Sequence, residues 1–277
     1  MTQRSILITG CSSGIGLCAA TELKKQGWRV FAAARKADDV EKLAAAGFES
    51  VQLDLTDSDS IQRAVQHVLA ATGGTLDALF NNAGLLIAGA TEDISRDLTR
   101  MQFETNVFGP MELVRQILPI MKKQGYGRIV QNSSILGVIT LPYYGAYNAS
   151  KYALEAFTLT LRQECRDTNI QVCLINPGPI VSELRNNAHQ IYQNTVAKKT
   201  DSSHQQAYRK LETAYFSKDH SSRHIQQSPQ AVVKKLLHAL TSKHPKIHYY
   251  IGWTTQLLVF LKKLMPERLF DWLLSKI

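Results

Sequence analysis

The stretch Thr9-Gly10-Cys11-Ser12-Ser13-Gly14-Ile15-Gly16 decides how this chain is read. It closes a short apolar run, residues 5–9, and opens directly into a helical window over 15–26. Glycine at 10, 14 and 16 lets the backbone turn sharply and brings its N–H groups close to a pyrophosphate. The helix N-terminus adds unpaired donors and a partial positive charge. The spacing departs from GxGxxG, and glycine-rich turns are common. The strand–turn–helix context therefore carries the reading of Gly10, Ser12, Ser13, Gly14, Ile15 and Gly16 as a phosphate cradle.

Working outward, further strand-like runs lie at 29–34, 51–53, 76–80, 128–132 and 170–175. They are rich in Ile, Val and Leu without clean alternation, as expected of strands covered on both faces. Helical windows fall between them at 58–71, 108–123 and 149–166, and Gly27 suits a C-terminal cap for the first helix. Alternating β and α elements predict an α/β fold, a doubly wound parallel sheet of Rossmann type in one domain. A core over 1–182 would be followed by a polar, partly helical lid over 183–228. A last helix, a strand at 246–251 and two short amphipathic helices broken at Pro266 complete residues 229–277.

The chain has 277 residues, 44% hydrophobic and 20% charged, enough for a full core. Sixteen Gly and eight Pro exclude a collagenous or low-complexity chain. A run of about 18 apolar residues is missing, which argues against a spanning helix, and the N-terminus lacks the pattern of a signal peptide. A net charge of +9 favours anionic partners, but the cations do not form the dense blocks of a nucleic-acid tail. Cys11, Cys18, Cys165 and Cys173 show no CxxC spacing and are expected as free thiols in a cytoplasmic protein.

The second strand ends Val30-Phe31-Ala32-Ala33-Ala34-Arg35-Lys36. An NAD-specific site commonly places an acid there, on the ribose 2′-hydroxyl. Here the acid is missing and Arg35 stands beside its place, with a guanidinium fork suited to a phosphate. This predicts a preference for NADP(H) over NAD(H).

Tyr147-Asn148-Ala149-Ser150-Lys151 opens a helical window and sets phenol and ammonium on one face, about 6 Å apart at Cβ. A free phenol titrates near pH 10, so it is a poor base until a nearby cation favours the phenolate. Alone, Tyr and Lys at that spacing are ordinary surface residues. Their companions change the reading: Ser133-Ser134 follows one strand, Asn81-Asn82-Ala83-Gly84 another, and Asn176-Pro177-Gly178 a third, with Thr105-Asn106-Val107 between. In a doubly wound sheet the C-terminal strand ends form the ligand crevice, so these motifs should converge there.

With those residues in place the chain resembles a short-chain dehydrogenase/reductase. TGCSSGIG, NNAG, YNASK and NPG stand in that family's order and spacing over residues 4 to about 185. ARK after the second strand and the C-terminal LMPERLFDWLL are similar to the branch of 17β-hydroxysteroid and retinol dehydrogenases. The resemblance implies Tyr147 as acid/base, Ser134 (or Ser133) holding the substrate oxygen, Lys151 on the nicotinamide ribose and Asn106 anchoring a water relay. It implies Asp54 at the adenine amino group, Asn82 on the adenosine side with Ala83 and Gly84 beside it, and Pro177, Gly178, Ile180 and Ser182 around the nicotinamide. A homo-oligomer is expected.

Residues expected at the cleft, Leu85, Leu86, Ile87, Ile135, Leu136, Leu141 and Tyr144, are apolar and bring no Arg or Lys to clamp a carboxylate. They favour a lipophilic alcohol or its ketone or aldehyde. His220/His224 and His244/His248 could each pair on a helix face, but neither pair has a third ligand at metal-site spacing. In the C-terminal helices Leu257, Phe260, Leu261 and Leu264 share one face and Leu269, Trp272, Leu273 and Ile277 another, with Lys262, Lys263, Arg268 and Lys276 among them. Packing over the cleft or on a second subunit is the leading reading, with peripheral membrane contact the alternative. Two other function classes stay open: an idle NADP(H) sensor or scaffold, and a membrane-surface protein on the same fold.

Overall fold

In the computed structural model, which describes residues 3–213 and 226–276, the first strand shows why the sheet is covered on both sides. Ile6 and Ile8 of β1 (Ser5–Ile8) enter one apolar cluster and Leu7 the other, all three fully buried. β2 (Arg29–Ala34) repeats the division, with Val30, Ala32 and Ala34 on one side and Phe31 and Ala33 on the other. A strand that buries both faces needs apolar residues at every position, which is why these runs do not alternate.

β3 (Glu49–Gln52), β4 (Ala78–Asn81), β5 (Gly127–Asn132), β6 (Ile170–Pro177) and β7 (His248–Ile251) complete a seven-stranded sheet, every pairing parallel, in the order β3-β2-β1-β4-β5-β6-β7. The chain builds outward from β1 to β3, then returns to place β4 on the other side of β1. This reversal opens the crevice between the C-terminal ends of β1 and β4.

Helix α1 (Gly14–Lys25) and α9 (Pro229–Thr241) cover one face through Ala19, Leu23, Val232 and Leu236. Helices α3 (Ser58–Ala71), α5 (Gly109–Gln124) and α6 (Gly145–Glu164) cover the other through Ile61, Val65, Leu113, Ile117 and Leu161. Asp57 caps α3 by accepting from Asp59 N, and Gly125, with φ 83°, ends α5 in the left-handed conformation.

Several elements differ from the sequence expectation. α2 (Ala37–Ala45) and α4 (Arg96–Phe103) are additional helices; each buries one residue, Leu43 or Gln102, too little to produce an apolar period. α6 begins one turn before its expected start, so Tyr147 lies in its first turn. The polar segment holds α7 (Leu184–Asn194) and α8 (Gln205–Leu211); Tyr215, His220 and His224 fall outside the described residues. His244 and His248 do not share a helix face: the first lies in the loop after α9 and the second in β7.

Beyond Gly252 run α10 (Trp253–Leu264) and α11 (Glu267–Leu274), with Pro266 at the break. Among the described residues no helix is long and apolar enough to cross a membrane. At the C-terminal ends of the strands α7, α8, α10 and α11 roof a third apolar cluster through Ala188, Tyr192, Tyr208, Val259, Phe270 and Leu274. Tyr147 belongs to that cluster.

Candidate active site

The loop after β1 packs against the end of β4 as closely as backbone allows. A Cβ on Gly10, where φ is +72°, would stand 2.8 Å from Ala83 Cα, and one on Gly16 would collide with the Gly10 carbonyl oxygen. Ser13 caps α1 in extended conformation without a side-chain hydrogen bond, and Leu17 N donates to Ser13 O at 3.2 Å. The amides of the first turn therefore lack intrahelical acceptors and follow a loop that its glycines allow to pack tightly. This arrangement fits a pyrophosphate.

The loop is clamped from β4 and β5. Asn82 N and Ala83 N both donate to Thr9 Oγ1 at 2.9 Å, and Asn82 Nδ2 donates to Thr9 O at 2.9 Å and Gly10 O at 3.3 Å. Asn132 Nδ2 donates to Asn82 Oδ1 at 3.0 Å. The Asn82 side chain is thus engaged in holding the cradle. Ser182 closes the other side, its Cβ 3.2 Å from where a Cβ on Gly14 would lie; Ser12 is exposed and Ile15 half-buried.

Lys151 is buried in α6, and its Nζ donates to Asn132 O at 2.8 Å, 5.7 Å from the centre of the Tyr147 ring. Burial lowers its pKa to about 8, against the charge of Glu155, which favours the cation. Asn106 sits in a single π-helical turn, Glu104–Phe108, between α4 and α5. Its side chain spans three elements: Oδ1 accepts from Leu85 N at 2.7 Å, and Nδ2 donates to Leu85 O at 2.9 Å and Ser150 Oγ at 3.1 Å. Such turns concentrate at functional sites. Gly84 lies between these groups; a Cβ there would be 3.6 Å from Asn106 Oδ1 and 3.8 Å from Lys151 Nζ.

The two serines after β5 point to different surroundings. Ser134 Oγ accepts from Leu136 N at 3.1 Å, which leaves its O–H free to donate. Ser133 Oγ is wedged beside Gly137, next to Glu155 of α6. Arg35 is exposed at the end of β2, and Asp54 Oδ1 accepts from Thr56 N and Oγ1 at 2.9 and 2.8 Å. Pro177 ends β6; Gly178 packs against Thr255 Oγ1 of α10, and Ile180 bridges to Gln227.

Glu155 and His248 join Asn176 of the Asn176-Pro177-Gly178 stretch in a group that motif reading did not assemble. Asn176 Nδ2 donates to Glu155 Oε1 at 2.5 Å and to Ser134 O at 3.3 Å, while His248 Nδ1 lies 3.5 Å from Glu155 Oε2 and 3.3 Å from Asn176 Oδ1. Burial raises the Glu155 pKa and lowers that of His248. The sequence signals were the Asn176-Pro177-Gly178 stretch and the i+4 step from Lys151 to Glu155.

The wall beyond Tyr147 is apolar. Leu86, Ile135, Leu136 and Tyr144 belong to its cluster with Leu141 packed on it, whereas Leu85 and Ile87 lie outside it. Asp93, in the loop after β4, latches α8 and the turn before it: its Oδ2 accepts from Tyr208 OH and, at 2.5 Å, from Ser202 Oγ, and Tyr208 OH also accepts from Ala90 N at 3.0 Å.

Comparison with known proteins bears on these features together. The model of the family described as short chain dehydrogenase matches residues 4–193. The chain is 42% identical over 273 residues to the uncharacterized oxidoreductase YbbO of Escherichia coli (strain K12), covering 99% of this chain and 94% of that protein. It is 34% identical over 284 residues to 17-beta-hydroxysteroid dehydrogenase type 6 of Rattus norvegicus, covering 99% and 88%. Among solved structures, a short chain dehydrogenase/reductase from Burkholderia phymatum in complex with NAD superposes with a TM-score of 0.79 at 25% identity, covering 95% of this chain and 93% of that one.

Proposed function

The chain belongs to the short-chain dehydrogenase family, and on that premise we propose that it interconverts a lipophilic alcohol and its ketone or aldehyde, with NADP(H) as the preferred cofactor. The observation that carries this reading is the buried Lys151 cation 5.7 Å from the Tyr147 ring, facing an apolar wall.

The first-turn amides of α1 with Gly10, Gly14 and Gly16 would hold the pyrophosphate, Lys151 the ribose beside the nicotinamide, and Pro177, Gly178, Ile180 and Ser182 its ring. Asp54, Ala83 and Gly84 would line the adenosine half, with Asn82 bracing the cradle. Bound there, the nicotinamide supplies the hydride for reduction or accepts it in oxidation. In reduction the Tyr147 hydroxyl gives its proton to the carbonyl oxygen. Ser134 donates a hydrogen bond to that oxygen and stabilises the charge developing on it. Lys151 stabilises the phenolate left on Tyr147, and Asn106, tied to Leu85 and Ser150, anchors the water path that returns the proton. The engaged lone pair of Ser134 and the enclosed position of Ser133 favour Ser134 in this role.

Arg35 supports the NADP(H) preference, because a guanidinium pairs with a 2′-phosphate as an acid pairs with a free 2′-hydroxyl. The lipophilic substrate class rests on the apolar cluster around Tyr147. The test is loss of the nicotinamide absorbance band with NADPH, and separately NADH, against a panel of lipophilic ketones and aldehydes. Turnover with NADPH that disappears in Tyr147→Phe is expected. Cofactor binding without turnover across the panel would favour a sensor, and no binding of either cofactor would overturn the reading.

A further inference from the structure

Helices α10 and α11 are apolar on two sides. Their inner sides carry Val259, Phe270 and Leu274 into the cluster that contains Tyr147. Their outer sides carry large apolar residues into solvent: Trp253 is 64% exposed, Phe260 58%, Leu264 66% and Trp272 59%. At about 100° per residue, positions 253, 257, 260 and 264 fall within an arc of roughly 60°, a stripe about 17 Å long. Isolated exposed apolar residues are ordinary; a continuous stripe of Trp, Leu, Phe and Leu with a second Trp on the adjoining helix marks a contact surface.

The charges around the stripe indicate its occupant. These two helices and the residue pair that follows α11 carry Lys262, Lys263, Arg268 and Lys276 against Glu267 and Asp271, and the whole chain is +9. Lys262 reaches Val138 O and, at 3.1 Å, Tyr152 OH, and like Lys263, Arg268 and Lys276 it is exposed. The core of a protein–protein interface is depleted in Lys. A helix lying at a lipid surface combines Trp, Phe and Leu with flanking Lys and Arg, and its indoles favour the headgroup level.

We propose that the outer sides of α10 and α11 dock the protein on the surface of an anionic phospholipid bilayer. The docking stands apart from the reaction proposed above. Its consequence for that reaction is geometric: the docked helices are also the roof of the apolar cluster at Tyr147, so a lipophilic substrate would pass from bilayer to cluster with little exposure to water.

The test uses the full chain with vesicles of phosphatidylcholine alone or with about 30% phosphatidylserine, separated by flotation. The wild type should float with the phosphatidylserine vesicles at low salt. The triple change Trp253→Ser, Phe260→Ser and Leu264→Ser should reduce binding at least about tenfold, and Lys263→Glu with Arg268→Glu should weaken it on anionic vesicles. Circular dichroism and turnover of a water-soluble carbonyl should be unchanged in both variants, which keeps loss of docking distinct from loss of fold or of catalysis. Failure of the wild type to float at low salt overturns the proposal. So does a wild-type dimer, measured by sedimentation, that the triple change dissociates, because the stripe would then be covered by a second copy.

Discussion

The Lys151 ammonium hangs from the end of β5, donating to the main-chain carbonyl of Asn132 at 2.8 Å. The same Asn132 reaches forward through its side chain to Asn82, which holds the loop after β1. One residue thereby couples the cation beside Tyr147 to the glycine-rich loop after β1.

Tyr147→Phe removes one oxygen from a buried ring without opening a cavity. We expect carbonyl reduction to fall by about 10²–10⁴-fold or more, the scale of a lost general acid. The NADPH dissociation constant, followed by quenching of protein fluorescence, should stay within about threefold of the wild type. Near-normal turnover would remove Tyr147 from the proton-transfer role.

Arg35 is the residue expected to separate the two cofactors. A charge-assisted hydrogen bond contributes about 1.5–3 kcal/mol, equivalent to roughly 10–100-fold in affinity. The wild type should bind NADPH tighter than NADH by that factor, and Arg35→Ala should erase most of the difference by weakening NADPH alone. Equal affinities in the wild type would refute the assignment.

The pH dependence follows from Lys151. Its pKa of about 8 means that the cation is present below that pH and lost as pH rises through it. In the proposed reaction the cation stabilises the phenolate formed as Tyr147 gives up its proton, so kcat/KM for reduction should fall above about pH 8. Glu155 favours the charged form of Lys151, so Glu155→Gln should move this falling limb to lower pH. A profile flat to pH 9.5 would show that Lys151 does not control the step.

Tyr208→Phe tests the latch between α8 and Asp93. The change removes the hydroxyl that donates to Asp93 and accepts from Ala90 N, leaving two enclosed polar groups short of a partner. The expected cost is about 1–3 kcal/mol, read as a lower denaturation midpoint at unchanged m-value. An unchanged midpoint would mean that the latch adds nothing to stability.

What could be read from the sequence was local. β2 and α3 occupy their expected residues because two-sided burial demands a continuous apolar run and one-sided burial a 3.6-residue period. The tight turn after β1 was legible because only glycine lets position 10 approach Ala83 and position 16 approach the Gly10 carbonyl. The positions of Tyr147 and Lys151 on one turn followed from helix geometry alone. The tertiary structure decided what depends on residues distant in the chain. Glu155, Asn176 and His248 come from α6, β6 and β7, and no periodicity links them; only the order of strands in the sheet makes them neighbours. It also decided which side of α10 is covered. A helix with apolar residues on both sides carries no local mark of the side that packs, so packing on the core and an exposed stripe, alternatives in the sequence, coexist in the fold.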